Sequence, residues 1–242
     1  VSVMIVAVAL ALGAFWLFAR SDATVAAALA GLEIEATTLA VSFDQATPLI
    51  AELDDERLPE TVSRSSAFFD IGEAARAVFA ASADLPASDS AHRTAAADVA
   101  GLAIDASRQL TDAVAYRAAL EPALSLPLLE TDPGLTDLVT ATAAFTEWRS
   151  GFESVQSALP GEMAGQAATA LAELSAGLET TQGAYLDALR TGDRAAAVEA
   201  IGVLRAQLQQ VHHALLEDMA QTATSVSALI EQAEATLAPL LG

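Results

Sequence analysis

Residues 193–237 read DRAAAVEAIGVLRAQLQQVHHALLEDMAQTATSVSALIEQAEATL, with no proline and a single glycine to interrupt them. Ile201, Leu204, Leu208, Val211, Leu215, Met219, Val226, Leu229, Ala233 and Leu237 recur at steps of three, four or seven, which places them on one face of one long helix. At 1.5 Å of rise per residue, a helix from Asp193 to Leu237 reaches about 67 Å. A helix this long with one apolar side needs other long helices to cover it, and short connections make those neighbours antiparallel. The expected fold class is therefore all-α: a bundle of long antiparallel helices.

The preceding sequence supplies those neighbours. Arg190-Thr191-Gly192-Asp193 is the clearest turn in the chain: Gly192 suits a left-handed helix end, and Asp193 can cap the helix that follows. Upstream of it Met163, Ala167, Leu171, Leu174, Leu178, Tyr185 and Leu189 predict a fifth helix, and Pro160-Gly161 separates it from a fourth that buries Leu135, Leu138, Phe145, Trp148, Phe152, Val155 and Leu159. Asp132-Pro133 reads as the cap and first residue of that fourth helix, because the missing proline N–H costs nothing there. A third helix carries Ala95, Val99, Leu102, Ala106, Leu110, Ala113 and Leu120, starts at cap candidates Ser88, Asp89 and Ser90, and ends at Pro122. The second runs from about Glu60 to Ala83 with Val62, Phe68, Phe69, Ile71, Val78 and Phe79. The first holds Val25, Leu29, Leu32, Ala36, Leu39, Phe43, Ala46, Ile50 and Leu53 in one seam, with a kink predicted at Pro48 and an end at Leu58-Pro59.

Composition agrees with this pattern. Hydrophobic residues make up 53% of the 242, yet aromatic residues only 5%, so the apolar content is mostly Ala and Leu, which favour helix and allow close packing. The chain carries 32 Asp and Glu against 11 basic residues, all arginine, for a net charge of -21. That charge repels a phosphate backbone and argues against nucleic acid as a partner. There is no cysteine, which removes disulfides, thiol catalysis and thiolate metal sites together.

The N-terminal stretch stands apart. VSVMIVAVALALGAFWLFA, residues 1–19, contains no charged residue and one polar side chain, Ser2. As a helix it spans about 28 Å, close to the hydrocarbon thickness of a bilayer. Phe15, Trp16 and Phe18 followed by Arg20 have the order of an interfacial aromatic belt and a snorkelling cation. The run exceeds the usual apolar region of a cleaved signal peptide and no small-x-small site follows it, so residues 1–20 read as a retained transmembrane signal anchor. Residues 21–242 then form an acidic helical-bundle domain, expected outside the cytoplasm, although Arg20 by itself points the other way under the positive-inside rule. Ala9 and Gly13 have the small-xxx-small spacing that lets two membrane helices approach, and a homo-oligomer is one expected assembly.

Catalytic groups are scarce. His212 and His213 are neighbours on one helix and point about 100° apart. His213 and Glu217, four apart, share a side and read as a surface hydrogen bond before a metal pair. Asp89-x-x-His92 sits at a helix start, where Asp89 reads as a cap. Glu52, Asp54, Asp55 and Glu56 lack the glycine and alternating donors of a calcium loop. No phosphate-binding, zinc-protease or nucleophile-elbow motif is present, so no enzyme, cofactor or metal is expected. The remaining candidate for a partner or ligand patch is aromatic and apolar: Phe145, Trp148, Arg149 and Phe152 with the loop residues Leu124, Leu126, Leu128 and Leu129, against the simpler reading of the rings as a core layer.

The order of anchor, helix pair, tight turn and long final helix resembles, in architecture and without a matching motif, the helical sensor modules of bacterial chemoreceptors and histidine kinases. That resemblance implies a ligand-sensing ectodomain and a second membrane pass, for which no second apolar run occurs up to Gly242. The leading expectation is instead a membrane-anchored interaction or accessory subunit of a bacterial membrane or envelope complex, touching the bilayer through residues 1–20 and other envelope proteins through its helix faces.

Overall fold

In the computed structural model, backbone is described for residues 2–63, 65–124, 136–158 and 165–241, and side chains over the same ranges from residue 23 onward, save 63 and 158. The protein is 88% helical with no strand among the described residues. The helices are α1 (Ser2–Ile50), α2 (Glu60–Ser63), α3 (Ala67–Ser82), α4 (Ser90–Leu120), α5 (Leu138–Ala158), α6 (Gln166–Thr191) and α7 (Arg194–Leu237), with 3₁₀ turns at Glu121–Leu124 and Ala238–Leu240.

The chain divides into two compact units: residues 1–48, 66–109 and 226–242 form unit 1, and residues 49–65 and 110–225 form unit 2. In unit 1 the described core is mostly aliphatic and small, with two phenylalanines. Leu32, Ala36, Leu39, Phe43 and Ala46 of α1, Phe68, Ile71, Ala75 and Val78 of α3, Ala96, Val99, Ala103 and Ala106 of α4, and Val226, Ile230, Ala233 and Leu237 of α7 are buried. Gly72 of α3 is one reason the helices come close: a Cβ there would lie 2.8 Å from Ser107 Oγ, which donates to the Phe68 carbonyl at 2.7 Å. In unit 2 the core holds Leu110 and Tyr116 of α4, Phe145, Trp148 and Phe152 of α5, Leu171, Leu174, Leu178 and Tyr185 of α6, and Ile201 to Met219 along α7. Removing each of the Val, Leu, Ile, Phe and Met side chains from water is worth about 1.5–3 kcal/mol, which is why the seams and not helix propensity hold the helices in place.

The turn at 190–193 forms as read from sequence. Gly192 takes φ 72°, its N–H and that of Asp193 reach back to the Ala188 and Leu189 carbonyls, and Asp193 Oδ1 accepts the Ala196 N–H at 3.0 Å. Asp89 is likewise the residue at which α4 starts, its carbonyl accepting from the Arg93 N–H, but its carboxylate turns to the His92 ring at 2.6 Å.

Several expectations are corrected. α1 ends at Ile50, two residues after Pro48, and not at Leu58-Pro59. Proline removes the N–H owed to the Asp44 carbonyl, and the chain closes with tighter turns from Glu52 to Leu49 and Leu53 to Ile50, which still bury Leu53. The helix expected over 60–83 is two helices, α2 and α3, separated within the Ser63-Arg64-Ser65-Ser66 run. Phe69 and Phe79, expected on its seam, are 58% and 57% exposed, since each lies one residue, or 100°, from a position that faces inward. α5 is capped by Asp137, whose carboxylate accepts the Thr140 N–H at 3.0 Å and hydroxyl at 2.5 Å; Asp132 and Pro133, along with Leu135, Leu159 and Met163, lie outside the described residues.

α1 as a whole is long and apolar enough to cross a membrane. Its segment Ala23–Ile50, the part whose side chains are described, passes that test of length and hydropathy, but carries Glu33, Glu35 and Asp44 and packs its seam into a bundle. The side chains of Phe15, Trp16, Phe18 and Arg20 lie outside the described residues.

Candidate functional site

The aromatic residues singled out in sequence come together in unit 2 as a layer of its core. Spacing of three and four puts Ala141, Phe145, Trp148 and Phe152 on one face of α5, and α6 brings Tyr185 against them. Trp148 stacks on Phe152 with centroids 5.1 Å apart and meets Phe145 edge-on at 6.0 Å, while Phe145 lies 6.2 Å from Tyr185. The indole N–H donates to the Ala123 carbonyl at 3.1 Å, tying α5 to the 3₁₀ turn before it. Phe145, Phe152 and Trp148 are buried, so these rings offer a partner no open face. Arg149, one residue from Trp148, is turned outward, donating to Glu153 at 2.8 Å and Gln182 at 3.2 Å. The Glu153 carboxylate holds its guanidinium above the usual arginine range. Leu124 is half-buried in the 3₁₀ turn. Leu126, Leu128 and Leu129 lie outside the described residues.

Sequence reasoning missed a second constellation. Arg117, in the last turn of α4, is fully buried. Its guanidinium donates to the backbone carbonyls of Leu53 and Asp55 and lies 3.5 Å from Glu121, which in turn accepts the Leu58 N–H at 3.2 Å. The acidic stretch 52–56 is thus a loop held by its backbone to a buried cation. Tyr116 beside it is also buried, its hydroxyl without a hydrogen-bond partner among the described residues, and burial, with the Asp218 charge adding to it, raises its pKa above the ordinary phenol value. Asp218, reaching from α7, accepts the N–H groups of Gln166 and Ala167 at 3.1 and 2.9 Å and so caps α6 from another helix.

Open grooves are shallow. In unit 2, Gln166, Thr169, Glu173, Gln210, His213 and Glu217 line about 300 Å³ between α6 and α7, where His213 pairs with Glu217 at 3.2 Å. In unit 1, Phe79, Ser82, Ser90, Arg93 and Thr94 line about 440 Å³ between α3 and α4, and the Arg93 guanidinium has no carboxylate partner among the described residues. No cluster of three or more metal-ligating side chains occurs among the described residues. Set against protein-family models, characterised proteins and solved structures, the chain matches none of them.

Proposed function

We propose that the chain is a membrane-tethered helical interaction module, anchored by residues 1–20, with its acidic body outside the cytoplasm and engaged with other membrane or envelope proteins. The observation that carries this reading is α1 itself: one helix, Ser2–Ile50, which carries no charge before Arg20 and whose later residues supply a core seam of unit 1. Within 23–50 that seam is already used in packing, which leaves 1–20 as the part suited to lipid. An anchor continuous with a structural helix ties unit 1 to the membrane without a flexible linker. The test is alkaline carbonate extraction of membranes holding the full chain and a variant lacking residues 2–20. The full chain is expected to stay in the pellet and the variant in the supernatant, and protease added to intact cells or spheroplasts should reach the body. Release of the full chain by carbonate sinks the anchor; a body protected from protease reverses its side.

One observation favours sensing as a second reading. The unit 1 groove combines an exposed aromatic ring, Phe79, with the guanidinium of Arg93, which has no carboxylate partner among the described residues, and the hydroxyls of Ser90 and Thr94, groups suited to a small carboxylate with an apolar portion. Units with such a groove fit a receptor as well as a scaffold. A saturable rise in melting temperature with one of a panel of small carboxylic acids, lost in Arg93→Ala, supports sensing; a flat panel leaves the interaction module alone.

A further inference from the structure

α1 carries a second seam. Ile34 and Val41 are 65% and 47% exposed, the first two residues before Ala36 and the second two before Phe43, so each lies about 200° round the helix from a core position. Ala27, Ala30 and Thr37 are exposed at the intervening steps of three and four. The hydroxyls of Thr37 and of its neighbour Thr38 donate to the Glu33 and Ile34 carbonyls at 2.8 and 3.0 Å, so covering them strands no donor. Continued back through the sequence, the same register reads Ala23, Arg20, Trp16, Gly13 and Ala9, and so meets the small-xxx-small pair of the apolar stretch.

We propose that this outward seam of α1 is the contact between two parallel copies of the chain. A net charge of -21 on each copy opposes association everywhere that acidic faces meet. From Ala23 to Val41 the seam and its flanks, Ala26, Gly31, Thr38 and Ala40, carry one charge, Glu33. In an in-register parallel pair each Glu33 falls opposite Thr38 of the other copy, so no two carboxylates are brought together between Ala23 and Val41; the next step of the register is Asp44, so the seam ends at Val41. Ile34 and Val41 occupy equivalent positions one heptad apart, so both face the partner in a paired helix. The inference rests on the membrane reading for its direction: two copies anchored by the same stretch point the same way and present the same residues at the same height, which a self-complementary seam requires.

The chain has no cysteine, so single cysteines report contact cleanly. Ile34→Cys, Val41→Cys and Phe79→Cys, each in the full chain, are oxidised mildly in native membranes and run without reductant. Disulfide-linked dimer is expected at positions 34 and 41 and not at 79, an exposed position on α3. A Thr37→Cys reporter is expected to lose its dimer band when Ile34→Glu and Val41→Glu are added, with helical circular dichroism unchanged. Absence of bands at 34 and 41, or a band at 79 as strong, overturns the proposal. Carbonate extraction of the same membranes separates the two readings: a chain washed free that still cross-links at 34 and 41 has lost its anchor but not its seam, and a chain retained without cross-links has lost the seam alone.

Discussion

Unit 1 and unit 2 are both built from helices with aliphatic seams, yet their interiors solve the packing problem differently. Among the described residues unit 1 buries many alanines, no tyrosine or tryptophan, and polar groups no larger than Ser42, Ser82 and Ser107. Unit 2 buries Tyr116, Trp148 and Tyr185, a complete arginine, and a helix cap supplied by a distant carboxylate. Small residues let helices approach until a methyl group matters; large and polar ones leave gaps and unpaired atoms that must be filled by particular partners. The two interiors should therefore fail to opposite insults, unit 1 to added volume and unit 2 to lost hydrogen bonds.

The largest effect is expected in unit 2. Arg117→Ala strands the carbonyls of Leu53 and Asp55 and leaves Glu121 beside an empty space, and loss of one side of such a buried charged network costs about 3–5 kcal/mol. Arg117→Lys keeps the charge but not the fork that reaches two carbonyls, and falls between the two. The urea midpoint of each variant measures this, and protection of the 49–58 amides from hydrogen exchange should drop with it. A wild-type midpoint in Arg117→Ala would remove the contrast between the units.

The converse insult belongs to two glycines. Gly72→Ala in unit 1 places a methyl 2.8 Å from Ser107 Oγ and 3.3 Å from its Cβ, on a side chain already committed to the Phe68 carbonyl, and overpacking of this kind costs about 1–3 kcal/mol. Gly177→Ala in unit 2 meets only the end of the Gln207 side chain at 3.1 Å, which can move, and gains up to about 1 kcal/mol from helix propensity. Opposite signs in thermal denaturation are the expected result; equal losses would show that unit 2 is packed as tightly as unit 1.

The same contrast accounts for what the sequence reveals and what it hides. The seams are legible, because Leu, Ile and Val at steps of three and four line up on a single face only when the chain is helical, and so is the turn at Gly192. Arg117 is not, because an arginine inside a helical pattern reads as solvent-facing and its partners are backbone carbonyls more than sixty residues earlier, which leave no trace in side-chain periodicity. Asp218 is hidden for the same reason, since it caps a helix other than its own. Phe69 and Phe79 mislead because hydrophobicity alone places them inward, whereas their neighbours Phe68 and Val78 hold the inward angle. The Asp137 cap is within reach: an aspartate three residues before a threonine at the start of an apolar pattern has the spacing of a cap, but Asp132-Pro133 upstream is the stronger start signal and outweighs it.

The smallest effect tests the polar interior most finely. Tyr116 holds a buried hydroxyl without a partner among the described residues, so Tyr116→Phe removes that group while keeping the ring, and at neutral pH the variant should be as stable as the parent or more so, by no more than about 1–3 kcal/mol. Its pKa is raised in the folded chain, first by burial and then by the Asp218 charge, which means the folded state holds that proton longer than the unfolded state does. Stability linked to this group is present in full below the unfolded tyrosine value near 10 and is lost as pH rises through the higher folded value. Tyr185, raised by burial, acts in the same direction and stays in place in the variant. Base-induced unfolding followed by circular dichroism should thus begin above pH 10 in the parent and at higher pH in Tyr116→Phe. An unchanged alkaline midpoint would mean the hydroxyl reaches water, and that the interior of unit 2 is less dry than its buried arginine and tyrosine imply.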